Sequence, residues 1–361
     1  MYDFAVVGAG PAGSRFSRGA AEAGHDVVTF ESGSVGTPLA CSGHVSTDIW
    51  EFVPDDARER LFQNEIYGAR FHTGGPGSRE YPFYKREVVS NVIDRVGLDR
   101  TLADLAREAG ASVREGHTVT GIEEGHDEVE LTVRGPETTE TVRTRMIVGC
   151  DGPTSRVRRA LSLPEPGEIL HGVLGFSEEK DDEAFVDVHL TAPRFFAWRI
   201  PRGEAGVEYG LAAPPARDLR ELFDEFTAGY GVEIAEFCSG AIPIGLPERV
   251  TSHRGLLIGD AAAQTKPFTG GGILYGMTAA DHAVRTVNPR NPASLARYEE
   301  AWRSDLSREI ELGHWLRRAY SLPEPIQRVG LRTLSGEIGV HMDRPTSLFS
   351  LEQLKALFSR S

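Results

Sequence analysis

A chain of 361 residues with 40% hydrophobic and 25% charged content is long enough to bury roughly three quarters of its unfolded surface and to form two or three domains. Its net charge of −14, with Lys85, Lys180, Lys266 and Lys355 as the only lysines among 39 basic residues, disfavours nucleic acid, whose binding rests on cations against phosphate. The same acidic, lysine-poor balance reads as halophilic. Cys41, Cys150 and Cys238 form neither a CxxC pair nor a metal-ligand pattern, which fits a reducing cytoplasm. No run nears the roughly 18 apolar residues needed to cross a bilayer. The start also lacks a charged and apolar leader, so the expectation is a cytoplasmic protein, soluble or peripheral on the inner face of the membrane.

Tyr2 to Val7 is a short apolar run, followed by Gly8-Ala9-Gly10-Pro11-Ala12-Gly13, a helix over Pro11–Ala23 stopped by Gly24, and a second strand over Asp26–Glu31. This is a βαβ opening. Glu31, closing the second strand, stands where a carboxylate accepts hydrogen bonds from an adenosine ribose. A glycine turn serving only helix-to-strand packing is the plainer alternative.

Helical periodicity covers Val88–Glu108, and alternating segments at Ser112–Glu123, Glu128–Val133 and Glu140–Val148, with turns at Gly125 and Gly135-Pro136, predict a β-meander. Met146–Cys150 reads as a buried strand leading to Asp151-Gly152. Strand-like runs fill His171–Ala213, then come a helix near Leu219–Tyr230 and a strand over Ala241–Ile244.

A further strand, Gly255–Ile258, delivers Gly259-Asp260 to a loop, and Gly270-Gly271-Gly272 opens an apolar helix from Ile273 toward Val287. Glycines let backbone N–H groups approach a ligand, and the helix N-terminus adds positive potential. That spot suits an electron-rich ring edge. With the first glycine turn it would grip the two ends of one long cofactor, and the cofactor suggested is FAD.

The trio of GxGxxG, Asp151-Gly152 and Gly259-Asp260 is similar to the para-hydroxybenzoate hydroxylase-like FAD superfamily. Within it, Lys266-Pro267-Phe268-Thr269-Gly270-Gly271-Gly272-Ile273, with Pro38-Leu39-Ala40-Cys41-Ser42-Gly43 and Phe196-Ala197-Trp198-Arg199-Ile200-Pro201, looks like the geranylgeranyl reductase family. The resemblance covers most of residues 1–300. Flavin halogenases have a similar aromatic-x-Trp-x-Ile-Pro motif, but no matching lysine motif lies upstream here, and Thr269-Gly270-Gly271-Gly272 favours the reductases.

The resemblance implies cofactor contacts from Gly8, Gly10, Ala12, Gly13, Glu31, Arg95, Asp151, Gly259, Asp260, Gly270, Gly271 and Gly272. Arg95 is alternatively a surface helix charge, and Asp151 a plain turn cap. The family places a cysteine beside the flavin, which makes Cys41 the catalytic candidate. A thiol near pKa 8.5 still holds a proton to donate at neutral pH; the alternative is a small buried hydrophobe. His44 is a proton relay or a loop polar group. Phe196, Trp198 and Pro201 occupy a strand whose alternation puts the two aromatics on one face, where they would line a channel for an apolar chain, or are ordinary sheet core. The family commonly has tyrosine where this chain has Phe196, which removes one hydroxyl from the site.

The implied fold is α/β (α+β): a discontinuous Rossmann-like FAD-binding domain (1–65, 86–165 and 250–290), an antiparallel-sheet substrate domain (66–85 and 166–249), and a helical C-terminal region (291–361). Leu348, Phe349, Leu351, Leu354, Leu357 and Phe358 would make an amphipathic helix, packed on its own domain or docking at a membrane or subunit. The implied activity is reduction of C=C bonds in geranylgeranyl or related polyprenyl lipids, as in archaeal membrane-lipid synthesis, with NAD(P)H or ferredoxin as electron donor. A flavin monooxygenase of small apolar or aromatic compounds shares the same cofactor motifs. A non-catalytic prenyl carrier would have no need of them.

Overall fold

The computed structural model describes residues 1–38, 41–215, 218–234 and 237–337. The chain opens with β1 (Tyr2–Val7), α1 (Pro11–Glu22) and β2 (Val27–Phe30), with β1 and β2 parallel. Proline at the first turn of α1 gives up an N–H that no helix would use, and its fixed φ starts the helix.

Residues 44–84 hold elements with no clear sequence signature: β3 (His44–Ser46), α2 (Asp55–Leu61), β4 (Phe62–Ile66), β5 (Gly68–His72) and β6 (Glu80–Tyr84). The helix expected over Val88–Glu108 is shorter than its periodicity suggested. Its first residues instead form β7 (Ser90–Ile93), paired with β3 and β4, and α3 begins only at Arg95, running to Glu108. Valine and isoleucine suit the strand. Asp94 then caps the helix, its carboxylate accepting from the Gly97 N–H at 3.0 Å.

The meander follows as β8 (Ser112–Arg114), β9 (Thr118–Glu124), β10 (Val129–Arg134) and β11 (Thr139–Gly149), with α4 (Arg156–Ala160) after it. Met146–Cys150 is not a separate strand: Met146–Gly149 is the last part of β11. The first half of β11 pairs with β10 and its second half with β1. Beyond come β12 (Glu168–Ser177), β13 (Phe185–His189), β14 (Ala197–Pro201), β15 (Val207–Ala213), α5 (Leu219–Gly229) and β16 (Phe237–Ile244). The described residues end with β17 (Gly255–Leu257), α6 (Ile273–Thr286), α7 (Leu295–Arg317), α8 (Glu324–Leu334) and β18 (Gly336–Glu337). The helix expected at Leu348–Phe358 lies outside the described residues.

Among the described residues there are three sheets. A seven-stranded sheet runs β8-β2-β1-β11-β10-β9, with β17 also on β11, so residues after 250 return to the first unit. An eight-stranded sheet runs β16-β12-β15-β14-β13-β5-β6-β18, and β3-β7-β4 form a small third one. The main core joins β1, β11 and β17 to α1, α6 and α7, with Phe4, Trp302 and Tyr298 almost wholly buried. Alternation divides β15: Tyr209 and Leu211 pack with Phe223 and Phe226 of α5, while Ala212 joins Phe195, Phe196 and Ile200 on the other face. Among the described residues, no helix is long and apolar enough to cross a membrane.

Candidate active site

The first glycine turn is shaped by its own backbone. Gly8 has φ +98°, and a Cβ there would lie 2.3 Å from the Cys150 carbonyl oxygen; one on Gly13 would lie 2.0 Å from the Gly8 oxygen. Gly10 differs, since a Cβ there would meet nothing within 4 Å. Two glycines are therefore fixed by packing, and the third faces open space at the head of α1, where a helix N-terminus favours an anion. Ala12 lets α1 lie close on α6: a Cβ on Gly276 would come 3.2 Å from the Ala12 Cβ. Glu31 is tied to the turn, accepting from the Ala9 N–H at 2.9 Å and the Gly33 N–H at 3.3 Å.

The second motif is equally tight. Gly259 has φ +69°, and its N–H donates to Gln264 Oε1 at 2.7 Å. Gln264 in turn donates to the Tyr298 hydroxyl, which donates to the Leu257 carbonyl. Backbone bonds from Lys266 N–H to the Gly271 oxygen and from Gly270 N–H to the Lys266 oxygen close the loop before α6. A Cβ on Gly272 would sit 2.7 Å from Asp260 Oδ1, so only glycine lets the loop pass the carboxylate.

One cavity of about 730 Å³ joins the two motifs: Gly10 and Ala12 line it, as do Gly259, Asp260 and Gly270 through Gly272. Cys41 and Arg95 share its wall. Cys41 is half-buried, and Arg95 is 7% exposed, paired with Asp99 one helical turn on, with its charge acting on the Cys41 thiol. Arg95 is thus no surface charge. Burial pushes the Cys41 thiol up; Arg95 pulls it down, while Asp260 and Glu208 push it further up. Burial also carries the Asp260 carboxyl up to about 6, against the pull of Arg95.

The rest of the cavity is mostly apolar. Phe196 precedes β14 rather than lying within it, and its ring meets Trp198 edge-on at 5.9 Å. Both line the cavity, with Phe71, Phe83, Leu331 and Leu334 elsewhere on its wall. His44 also lines it, with Nε2 2.7 Å from the Ser90 hydroxyl. Asp151 does not line it. Its carboxylate accepts from the Ser155 hydroxyl and from the Arg156 and Val157 N–H groups, holding the start of α4, while Cys150 and Gly152 beside it face the cavity.

Sequence reasoning missed Asp99, Gln264, Tyr320 and Glu208. Asp99 was findable from its i+4 spacing to Arg95. The others owe their place to contacts between distant segments: Tyr320, for example, donates to the Phe268 carbonyl and sets its ring against Phe195 and Phe196. The residues present fit FAD. The space beside Gly10 is open, the cavity continues to the glycine loop before α6, and a carboxylate is held at the end of β2.

A family model described as FAD binding domain matches residues 82–208, a span containing Arg95, Asp151, Phe196 and Trp198. A crystallised geranylgeranyl bacteriochlorophyll reductase-like protein from Thermoplasma acidophilum superposes with TM-score 0.84 over 99% of this chain and 96% of its own, at 23% identity. The digeranylgeranylglycerophospholipid reductase 1 of Methanococcoides burtonii is 30% identical over 342 residues, 86% of this chain and 81% of that protein. Its namesake from Methanopyrus kandleri is 30% identical over 362 residues, 90% and 91% of the respective lengths. Identity at that level along nearly the whole length, on a matching fold, makes the chain a member of the digeranylgeranylglycerophospholipid reductase family.

Proposed function

We propose that the protein is a FAD-dependent reductase that saturates C=C bonds in geranylgeranyl or related polyprenyl groups of membrane lipids. The observation that carries this reading is the single cavity that holds both glycine turns and Cys41 and is otherwise walled mainly by apolar side chains. Bound and reduced, FAD supplies the hydride for such a saturation. The protein's part is to exclude water, hold the chain, and give the proton. An unactivated alkene needs tight placement, and Phe196, Trp198 and the other apolar side chains of the cavity offer it. Cys41, kept as a thiol by burial and by Asp260, is the proton donor in this reading.

In the same reading the unit on the seven-stranded sheet (residues 1–65, 86–165 and 250–290) holds the cofactor, and the unit on the eight-stranded sheet (66–85 and 166–249) holds the lipid. Electrons enter from NAD(P)H or ferredoxin. Peripheral membrane association is supported by α8, where Ile326, Val329 and Leu334 are exposed while Leu331 and Leu334 line the cavity.

The test is anaerobic incubation of dithionite-reduced holoprotein with a geranylgeranyl glycerophospholipid, followed by mass. The lipid should gain two hydrogens per double bond as the flavin reoxidises. No gain together with no reoxidation overturns the reading, as does oxygen incorporation with substrate-stimulated NAD(P)H consumption in air. Cys41→Ser should lower kcat roughly 10²-fold at saturating lipid; unchanged turnover removes Cys41 from proton transfer.

A further inference from the structure

Glu208 is 0% exposed and shares a face of β15 with Ala212, which packs with the cavity-lining Phe196 and Ile200. A buried carboxylate is costly unless donors surround it, and this one is faced by polar groups from its neighbouring strand and from a distant segment. From β14, the indole Nε1–H of Trp198 donates to Oε1 at 2.9 Å. From the segment after Cys41, the Ser42 hydroxyl and the Gly43 N–H face the same carboxylate and favour its charge. Arg202 approaches Oε2 at 3.4 Å.

The geometry around these contacts leaves little slack. Trp198 stands directly across the strand pair from Gly210, and a Cβ on Gly210 would lie 2.2 Å from the indole ring. The ring therefore lies flat over a glycine, with its N–H reaching diagonally to Glu208. Gly43 is pinned from its other side by β7: its carbonyl accepts from the Ile93 N–H at 2.9 Å, and a Cβ on it would sit 2.1 Å from the Ile93 oxygen.

We propose that Glu208 is a positioning residue that ties the Cys41 segment to the Trp198 wall and places a carboxylate behind the thiol, so that Cys41 and the ring that places the alkene keep one relative geometry. This rests on the reductase reading above for its purpose. An apolar side chain of similar size would join the walls with less desolvation, but it would direct no donor and add no charge. The charge opposes Arg95, and Glu208 is among the groups that hold the Cys41 thiol up.

The test uses FAD-loaded holoprotein and alkylation of Cys41 by iodoacetamide, resolved from Cys150 and Cys238 by peptide mass mapping, which needs no substrate. In Glu208→Gln the pH midpoint of Cys41 alkylation should fall. With the geranylgeranyl glycerophospholipid, kcat should drop about tenfold with little change in KM and FAD content retained. A cycle of Trp198→Phe, Ser42→Ala and the double variant, read by Cys41 alkylation rate, should depart from multiplicativity by roughly threefold or more, since both side chains act on Glu208.

An unchanged alkylation midpoint in folded Glu208→Gln overturns the proposal. If that variant does not fold, the cycle decides alone, and a multiplicative cycle overturns it. Should the lipid prove not to be a substrate, the alkylation results still judge Glu208, so the two readings fail separately.

Discussion

Asp260 carries its carboxyl at about 6 instead of the usual 3.8 because the cavity wall buries it. A raised folded value means that the native state binds the proton more tightly than the unfolded chain between those limits. The associated stability is complete below about pH 3.8 and is lost as pH rises through 6. Asp260→Asn removes this dependence. In FAD-free protein, the variant's advantage over wild type should be absent near pH 4, grow through pH 6 and level off above pH 7 at on the order of 2–3 kcal/mol. Urea unfolding across that range measures it, and a pH-independent difference contradicts the assignment. That a site keeps such a destabilising carboxylate beside Arg95 and Gly272 fits a functional use of the charge.

The glycine turn between β1 and α1 makes two separable demands on one short element. At Gly13 the backbone of Gly8 already fills the Cβ position, so Gly13→Ala must shift main chain and should cost roughly 1–3 kcal/mol or more. At Gly10 the Cβ position is open. Gly10→Ala should leave the melting of FAD-free protein within about 1 kcal/mol of wild type, yet purify with far less flavin, because the methyl group enters the space assigned to the cofactor. Equal flavin content in Gly10→Ala and wild type, measured by absorbance, would move the cofactor away from this turn. The same scale shows why residues 44–84 went unread: β3, β4, β5 and β6 are three to five residues long, too short for periodicity to register, and β5 finds its parallel partner only in β13.

Across the whole molecule, α7 links the two large sheets. Its Tyr298, Trp302 and Leu306 are buried in the main core with the seven-stranded sheet. At its other end Arg317, 7% exposed, donates to Glu168 of β12 at 2.8 Å and to the Arg194 carbonyl, with its guanidinium 5.7 Å from the Phe195 ring centre. Arg317→Ala leaves Glu168 with Arg194 as its remaining ion-pair partner, and should cost roughly 1–3 kcal/mol in urea unfolding of the holoprotein. A variant as stable as wild type would mean that α7 does not tie the sheets together.

The sequence by itself determined the two glycine-bearing turns and the elements that carry them. A strand, a glycine turn and a proline-started helix, or a strand, Gly259-Asp260 and the glycines before Ile273, are settled by local sterics: which residues tolerate positive φ, which start a helix, which end one. Family motifs added Cys41, Phe196 and Trp198. Only the tertiary structure decided that Arg95 turns inward to the thiol, that Asp151 spends its carboxylate on α4, and that a single cavity joins both turns to an apolar wall. Glu208 is the clearest case, since Val207-Glu208-Tyr209 reads as an ordinary strand with one acid: Trp198 reaches it from the neighbouring strand of the same sheet, but Ser42 and Gly43 come to it only when a distant segment packs against that sheet. Contacts between segments far apart in the chain depend on packing and burial, which no local pattern encodes.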